Sequence, residues 1–286
     1  MPPVAMSDYT FAFGENGFVL NSDSLGLPFL DVTSVTGLDT APLRTATDEH
    51  QGMDGTYIDS SFMSSRTIVI NGNLYTDPGD PDTLLRQLRA DYNSDTVRPF
   101  YFQQPGQGLQ FVNGQGGGCA YAIDTNRNSG VTPIQLMVLA GNPYIYDYPA
   151  SVGSVSVPTV VTAGAGFNMA FNVGFGGTLP NTSATVVNNG THTAYPVITI
   201  AGACVNPVLS DGFGVTMPFG LTMSDTDSLV IDCRTKSVIL NGQVSRRSAM
   251  NGILWFSVPA GSSETIYFGA DSGTATVTVT LYSTYY

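Results

Sequence analysis

Apolar and polar positions alternate with a period of two along much of the chain, and a single stretch repeats with the period of a helix. The clearest alternation lies between Val186 and Tyr286. There Leu229, Val230 and Ile231 lead into Asp232, a polar turn at Cys233-Arg234-Thr235-Lys236 reverses the chain, and Ser237-Val238-Ile239-Leu240 runs back. Two short apolar runs around a four-residue polar connection predict a β-hairpin. An Asn188-Asn189-Gly190 turn and a strand over Tyr195–Gly202 precede it. A strand around the single tryptophan, Leu254-Trp255-Phe256, a Pro259-Ala260-Gly261 turn and an alternating strand over Ala275–Tyr282 follow. Upstream, Phe167, Met169, Phe171, Val173 and Phe175 alternate over nine residues, which predicts one more strand with its aromatics on one face.

The first half reads differently. Short strands are expected at Phe11–Phe13, Phe18–Leu20 and Phe29–Val32, then a passage Val35–Arg44, then a polar loop through Asp48, Gly52, Asp54 and Gly55 to Asp59. That loop is long, and long ordered loops are usually functional. The strand Ser65–Gly72 leads to an Asp77–Asp82 turn cluster, where Asp80 or Asp82 would cap the one helix, Thr83–Asn93. Leu84, Leu85, Leu88 and Tyr92 fall on one face of it. A glycine-rich stretch, Gly106–Gly118, and a strand Ile134–Ala140 complete the half. Small and polar residues from Asp147 to Ser154 mark a boundary, giving domains 1–148 and 149–286. The fold expected is mainly β: an N-terminal split β-barrel or sandwich with one α-helix, and a C-terminal galectin-like β-sandwich.

Composition sharpens this. Only 11% of the 286 residues are charged, well below the usual one-quarter or so. Such a surface is either covered by neighbours in an assembly or is simply rich in Ser, Thr and Asn. The charge is also lopsided. Residues 1–149 carry 16 acidic and 6 basic side chains, net −10, whereas 150–286 carry 6 and 4, net −2. At net charge −12, with one lysine, Lys236, and no basic run, the chain is not expected to bind nucleic acid by neutralising phosphates. Three cysteines, none in a CxxC pair, fit buried reduced thiols. The first residues lack the basic and apolar regions of a signal peptide, and no apolar run reaches the roughly 18 residues of a membrane span. The two glycosylation-like triplets at Asn181 and Asn189 are better taken as turns.

Catalytic chemistry is not expected. His50 and His192 stand far apart, outside any HExxH, and no GxSxG is present. Gly114-Gln115-Gly116-Gly117-Gly118 lacks the Gly-Lys-Ser/Thr of a phosphate loop, and the Asp77–Asp82 cluster lacks the glycine and closing glutamate of a calcium loop. Asp225 and Asp227 could be an acid pair, but acidic turns are common in β proteins. Enzyme activity, a metal and a cofactor are therefore all excluded from the expectation. The remaining chemical option is sugar binding in the second domain through aromatics and Asn or Asp. Against it, the apolar flanks of Trp255 predict core or half-core placement.

The order of these motifs resembles the distal tail (Dit) family of siphophages. In the first half the resemblance rests on Gly37-Leu38-Asp39 to Arg44, on Gly52-Met53-Asp54-Gly55 and on Arg66–Gly72. The helix, and the Leu139–Tyr144 exit with Asn142 where the family more often has Asp, belong to the same pattern. In the second half it rests on Asn189-Gly190, Tyr195-Pro196, Asp232 with Arg234, Trp255 and Pro259-Ala260-Gly261. The resemblance implies a structural protein of the virion tail tip, made in the host cytoplasm. It implies a ring, usually a homohexamer, that joins the tail tube protein to the tail-tip hub and to receptor-binding or side-fibre proteins. Ring and tube contacts are then expected at Arg44, Asp48, Gly52, Asp54, Gly55 and Asp59. A channel that passes DNA should be acidic, with Glu49, Asp77, Asp80 and Asp82 as its candidate lining beside Asp48, Asp54 and Asp59. The alternative implied is a tail module that binds host cell-wall carbohydrate.

Overall fold

The computed structural model describes residues 6–15, 17–21, 27–50, 52–77, 82–123, 129–156 and 183–286. Its contacts divide the chain into two compact units, Met1–Tyr148 with Tyr285–Tyr286, and Pro149–Thr284. Asp80 and the expected strand at Phe167–Phe175 lie outside the described residues.

In the first unit, β1 (Phe11–Phe13), β2 (Val19–Leu20), β3 (Phe29–Thr36), β6 (Arg66–Tyr75), β7 (Arg98–Gln103), β8 (Leu109–Tyr121) and β9 (Val131–Ala140) form one sheet. They run in the order β2-β1-β7-β8-β9-β6-β3, with β10 (Ile145–Asp147) paired to β8. The two ends of that order, β2 and β3, do not pair as strands, although the Asn21 N–H donates to the Leu30 carbonyl at 2.8 Å. The split barrel thus stays open. Period-two burial in β6 and β9 turns Ile68, Ile70, Leu74, Ile134, Leu136 and Val138 inward, as the sequence alternation demands.

The helix α1 spans Asp82–Tyr92 and buries Leu84, Leu85, Leu88 and Tyr92 against this sheet. Its end sits so close to β8 that a Cβ on Gly116 would lie 2.2 Å from the Tyr92 carbonyl oxygen. Gly116 is therefore a strand position stripped of its side chain to admit the helix end, and its N–H donates to the Ser94 carbonyl at 2.9 Å. Tyr285, from the far end of the chain, belongs to this unit: its hydroxyl donates to Asp147 Oδ2 at 2.6 Å.

The second unit is a β-sandwich. One sheet runs β11 (Ser151–Ser156), β23 (Thr276–Leu281), β13 (Val197–Ala201), β18 (Ser228–Asp232), β19 (Ser237–Leu240), β20 (Val244–Ser245). The other runs β12 (Ser183–Asn188), β21 (Ser262–Gly269), β15 (Val208–Ser210), β16 (Thr216–Pro218). Their inner faces share a core containing Val186, Ile198, Ile200, Leu209, Leu229, Ile231, Ile266, Phe268 and Val279. The expected β18–β19 hairpin forms in register, Ile231 opposite Val238. The tryptophan segment, in contrast, is not a strand. Only Val258 makes an isolated bridge, to Ala194, and the strand in this region is β21 instead.

Candidate functional site

The stretch expected as a polar loop is a ribbon. β4 (Leu43–Glu49) pairs antiparallel with β5 (Thr56–Met63), with a register shift between Thr45 and Thr47. Its root is closed by Ser64 N–H to the Pro42 carbonyl at 2.7 Å. At its tip His50 N–H reaches the Gly55 carbonyl at 3.3 Å, and the His50 and Tyr57 rings lie 3.7 Å apart. Gly55 adopts φ +112°, which a residue with a Cβ rarely adopts. Thr45 and Ser61 hydroxyls share a 2.8 Å hydrogen bond across the strands.

Among the described residues, neither strand of the ribbon pairs with any third strand. Nothing in it is buried, so Leu43, Tyr57, Ile58 and Phe62 stand exposed. Cross-strand partners share a face. Leu43 with Met63 and Thr47 with Ile58 lie on one face, and Arg44 with Phe62 and Asp48 with Tyr57 on the other. Both faces therefore carry large apolar groups. A free two-stranded ribbon is marginal in water at best, and this one has no third layer of its own.

Beneath the ribbon root Arg66 is buried. Its Nε donates to the Pro143 carbonyl at 3.0 Å, and its Nη1 to the carbonyls of Gly37 at 2.9 Å and Asp39 at 2.7 Å. Burial lowers its pKa and nearby Asp39 opposes that. One side chain thus fixes the Gly37–Asp39 passage and the Pro143 exit, two of the stretches that carry the sequence resemblance.

The expected contact residues Arg44, Asp48, Gly52, Asp54, Gly55 and Asp59 all lie on the ribbon and are exposed, as is Glu49. The ribbon's four acidic residues and one arginine give it a net charge of 1 − 4 = −3. No ion pair among the described residues touches it. Asp77 and Asp82 lie outside the ribbon that carries Glu49. Asp77 is exposed beyond the far end of ten-residue β6, about 30 Å from that strand's start at the ribbon root. Asp82 opens α1. The residues missed in sequence were the apolar ones: Thr56-Tyr57-Ile58 and Phe62-Met63 carry strand-forming side chains that a polar-loop reading ignored.

In the second unit the quoted motifs meet at one buried side chain. Asn188 Nδ2 donates to the carbonyls of His192 (2.8 Å), Val258 (3.0 Å) and Pro259 (3.1 Å). Its Oδ1 accepts from the Gly190 and Thr284 N–H groups at 3.0 and 3.3 Å. Asp232 Oδ1 accepts from Arg234 and Thr235 N–H and shapes the hairpin turn. Asp227 likewise braces a turn, through Asn241 and Ser224. These polar residues hold backbone rather than present a reactive group, and no cluster of metal-ligating side chains occurs among the described residues. Trp255 is half-buried against the core with Arg247 4.9 Å over its ring, so it is no open sugar platform.

The first unit thus carries an uncovered apolar ribbon, and the second is a sandwich with its own core. Comparison with known proteins gives a family match over part of the chain and a shared fold. Residues 189–285 match the model of the siphovirus-type tail component, C-terminal domain. Over its whole length the chain has the fold of the crystal structure of SPP1 Dit (gp 19.1), described as a hub adsorption apparatus of phages infecting Gram-positive hosts. The TM-score is 0.60 at 15% identity, covering 96% of this chain and 98% of that one. The phage P2 baseplate in its activated conformation with Ca is similar at TM-score 0.57 and 8% identity, covering 96% and 98%. The same baseplate with Sr gives 0.52 and 9%, covering 95% and 98%. No curated protein matches the chain in sequence. The resemblance to siphophage distal tail proteins, first seen in the order of motifs, thus holds in fold over 96% of the chain and in sequence over residues 189–285.

Proposed function

We propose that the protein is a ring-forming distal tail protein at the tip of a siphovirus tail, with a structural rather than a catalytic role. The observation that carries the ring is the β4–β5 ribbon, which exposes Leu43, Tyr57, Ile58 and Phe62 on two faces that its own unit leaves bare. It spans residues 43–63, close to the roughly 20–30 residues a side of a standard protein interface. A closed ring covers such an element identically in every copy. In this reading the first unit forms the ring and docks on the tail tube protein, and the second faces the hub and the receptor-binding or side-fibre proteins. The ring leaves a channel for DNA, which the −10 charge of residues 1–149 would repel from its wall.

Light scattering and negative-stain images of the purified full-length chain test this. Closed rings of one fixed copy number are expected, and a monomer at tens of micromolar that stays monomeric with tail tube protein added would end the proposal.

A further inference from the structure

Four of the exposed apolar side chains of the second unit, Phe213, Ile253, Leu254 and Tyr267, lie at one end of its β12-β21-β15-β16 sheet. Tyr267 lies opposite Ser210, Ser210 opposite Thr216, and Gly252 packs on Thr216, where a Cβ would be 2.9 Å from the carbonyl oxygen. That row sets Tyr267 at one side and Ile253-Leu254 at the other, with the turn joining β15 to β16 between them. Phe213 tops the turn. Exposures along this strip are 95% for Phe213, 87% for Ile253, 51% for Leu254 and 45% for Tyr267. These four side chains line that one end of the sheet.

The turn is built to hold Phe213 out. One carboxylate oxygen, Asp211 Oδ1, accepts the N–H groups of Phe213, Gly214 and Val215 at 2.8, 2.9 and 3.0 Å. Ser210 Oγ accepts Gly212 N–H at 3.0 Å, and Val215 packs back into the core. Gly212 has φ +77° with the Tyr267 ring against it, a Cβ there lying 3.2 Å from Cε2. A turn whose backbone is already fixed loses little freedom on binding, which favours an anchor there.

The charge beside the patch names the partner's chemistry. Burial alone would raise the Asp211 pKa, but the three N–H groups outweigh it and hold the carboxyl below its usual range. Burial pushes Glu264 up, and the Asp211 charge adds to that. The two carboxylates therefore repel each other, and no ion pair among the described residues reaches either. A cation brought by a partner would relieve both.

We infer that the Phe213 turn, with Ile253, Leu254 and Tyr267, is a docking anchor for another protein of the tail tip, one that offers an apolar socket rimmed by lysine or arginine. This rests on the tail-tip reading and goes beyond it by assigning the surface. The test uses tails assembled with the full-length chain carrying Phe213→Ala and Ile253→Ser, their composition measured by mass spectrometry. Those tails should keep this chain and the tube protein yet lose one peripheral protein, while Phe213→Trp tails keep it. Titrated against the purified parent chain, that lost protein should bind about 30-fold or more tightly than to Phe213→Ala. Asp211→Asn should weaken binding less, and more so at low salt than at high. Unchanged tail composition would overturn the inference. So would a glycan-array signal that the Phe213→Ala chain loses while its tails stay complete, since the surface would then be a sugar site. Parent tails that lack the chain altogether would overturn the tail-tip reading, and this inference with it.

Discussion

Two hairpins of nearly equal kind sit in the two units, and they live in opposite environments. In β18–β19, Leu229, Ile231 and Val238 are fully buried, and the opposite faces of the strands are half-exposed. In β4–β5 no residue is buried, although Leu43, Tyr57, Ile58 and Phe62 are as apolar as their counterparts. The first is the middle of a six-stranded sheet with a second sheet over it. The second is a ribbon with no partner strand among the described residues. A β-hairpin does not carry its own stability; it borrows it from what covers its apolar faces. Where the chain supplies that cover, the hairpin is architecture. Where it does not, the apolar faces stay bare, and the ring proposed above is what would cover them.

The strongest break of this contrast is a pair of matched truncations. Ile231→Ala removes a fully buried side chain and should cost about 2–5 kcal/mol, visible as a lower urea midpoint. Ile58→Ala, the same chemical change on the exposed ribbon, should move the midpoint of the dissociated protein by no more than about 0.5 kcal/mol. Combined with Phe62→Ser, it should abolish rings in light scattering. Equal destabilisation by the two substitutions would mean that the ribbon is covered within its own chain.

Arg66 comes next. Its three bonds to carbonyls tie the ribbon root to the rest of the first unit. Hydrogen bonds from charged donors are worth about 1.5–3 kcal/mol each before the cost of burying the charge is subtracted. Arg66→Met should therefore lose about 3 kcal/mol by thermal or urea unfolding. Arg66→Lys should recover little of it, because an ammonium cannot span the fork. Asn188→Ala should cost about 2 kcal/mol or more in the second unit, since it removes the side chain's bonds to three carbonyls and two N–H groups at once.

The same contrast explains what could be read from the residues alone. The helix at Asp82–Tyr92 and the β18–β19 hairpin were legible because each buries one face, and burial writes its period into the sequence. The ribbon buries nothing, so Asp48, Asp54 and Asp59 dominate its composition and it resembles a loop. Leu254-Trp255-Phe256 misled for the converse reason. The run is apolar, but Phe256 goes into the core while Leu254 stays exposed and Trp255 lies between, without a ladder. β21 begins Ser262-Ser263-Glu264-Thr265, too polar to announce a central strand, yet it pairs on both sides. Gly116 gives no pattern at all, because the residue needed there is defined by the helix end it packs on. The ribbon as a place was visible in advance, through Arg44 to Asp59. Its apolar character was not, since exposed apolar groups acquire meaning only once the missing cover is known.

The gentlest probe of the contrast is acid. Asp227 closes the root of β18–β19: its Oδ1 accepts from Asn241 Nδ2 at 2.8 Å, and Asn241 Oδ1 in turn accepts Ser228 N–H at 2.8 Å. Its Oδ2 accepts from the Ser224 N–H and hydroxyl, both at 2.8 Å. The Asn241 amide first, and then the two Ser224 donors, depress the Asp227 pKa from 3.8 to about 2. A carboxyl whose folded pKa lies below its unfolded value binds fewer protons folded than unfolded in that interval. Its contribution to stability is then complete above pH 3.8 and drains away as pH falls through about 2. The β4–β5 root has no equivalent; it is closed by backbone alone, Ser64 to Pro42. Asp227→Asn should thus be less stable than the parent at pH 6, and the gap should narrow steeply as pH falls from 3.8 toward 2, as followed by urea unfolding at a series of pH values. The effect will be small because the carboxyl is solvent-exposed and salt-screened. A gap that stays constant from pH 6 to pH 2 would show that the brace works through the geometry of the side chain and not through its charge.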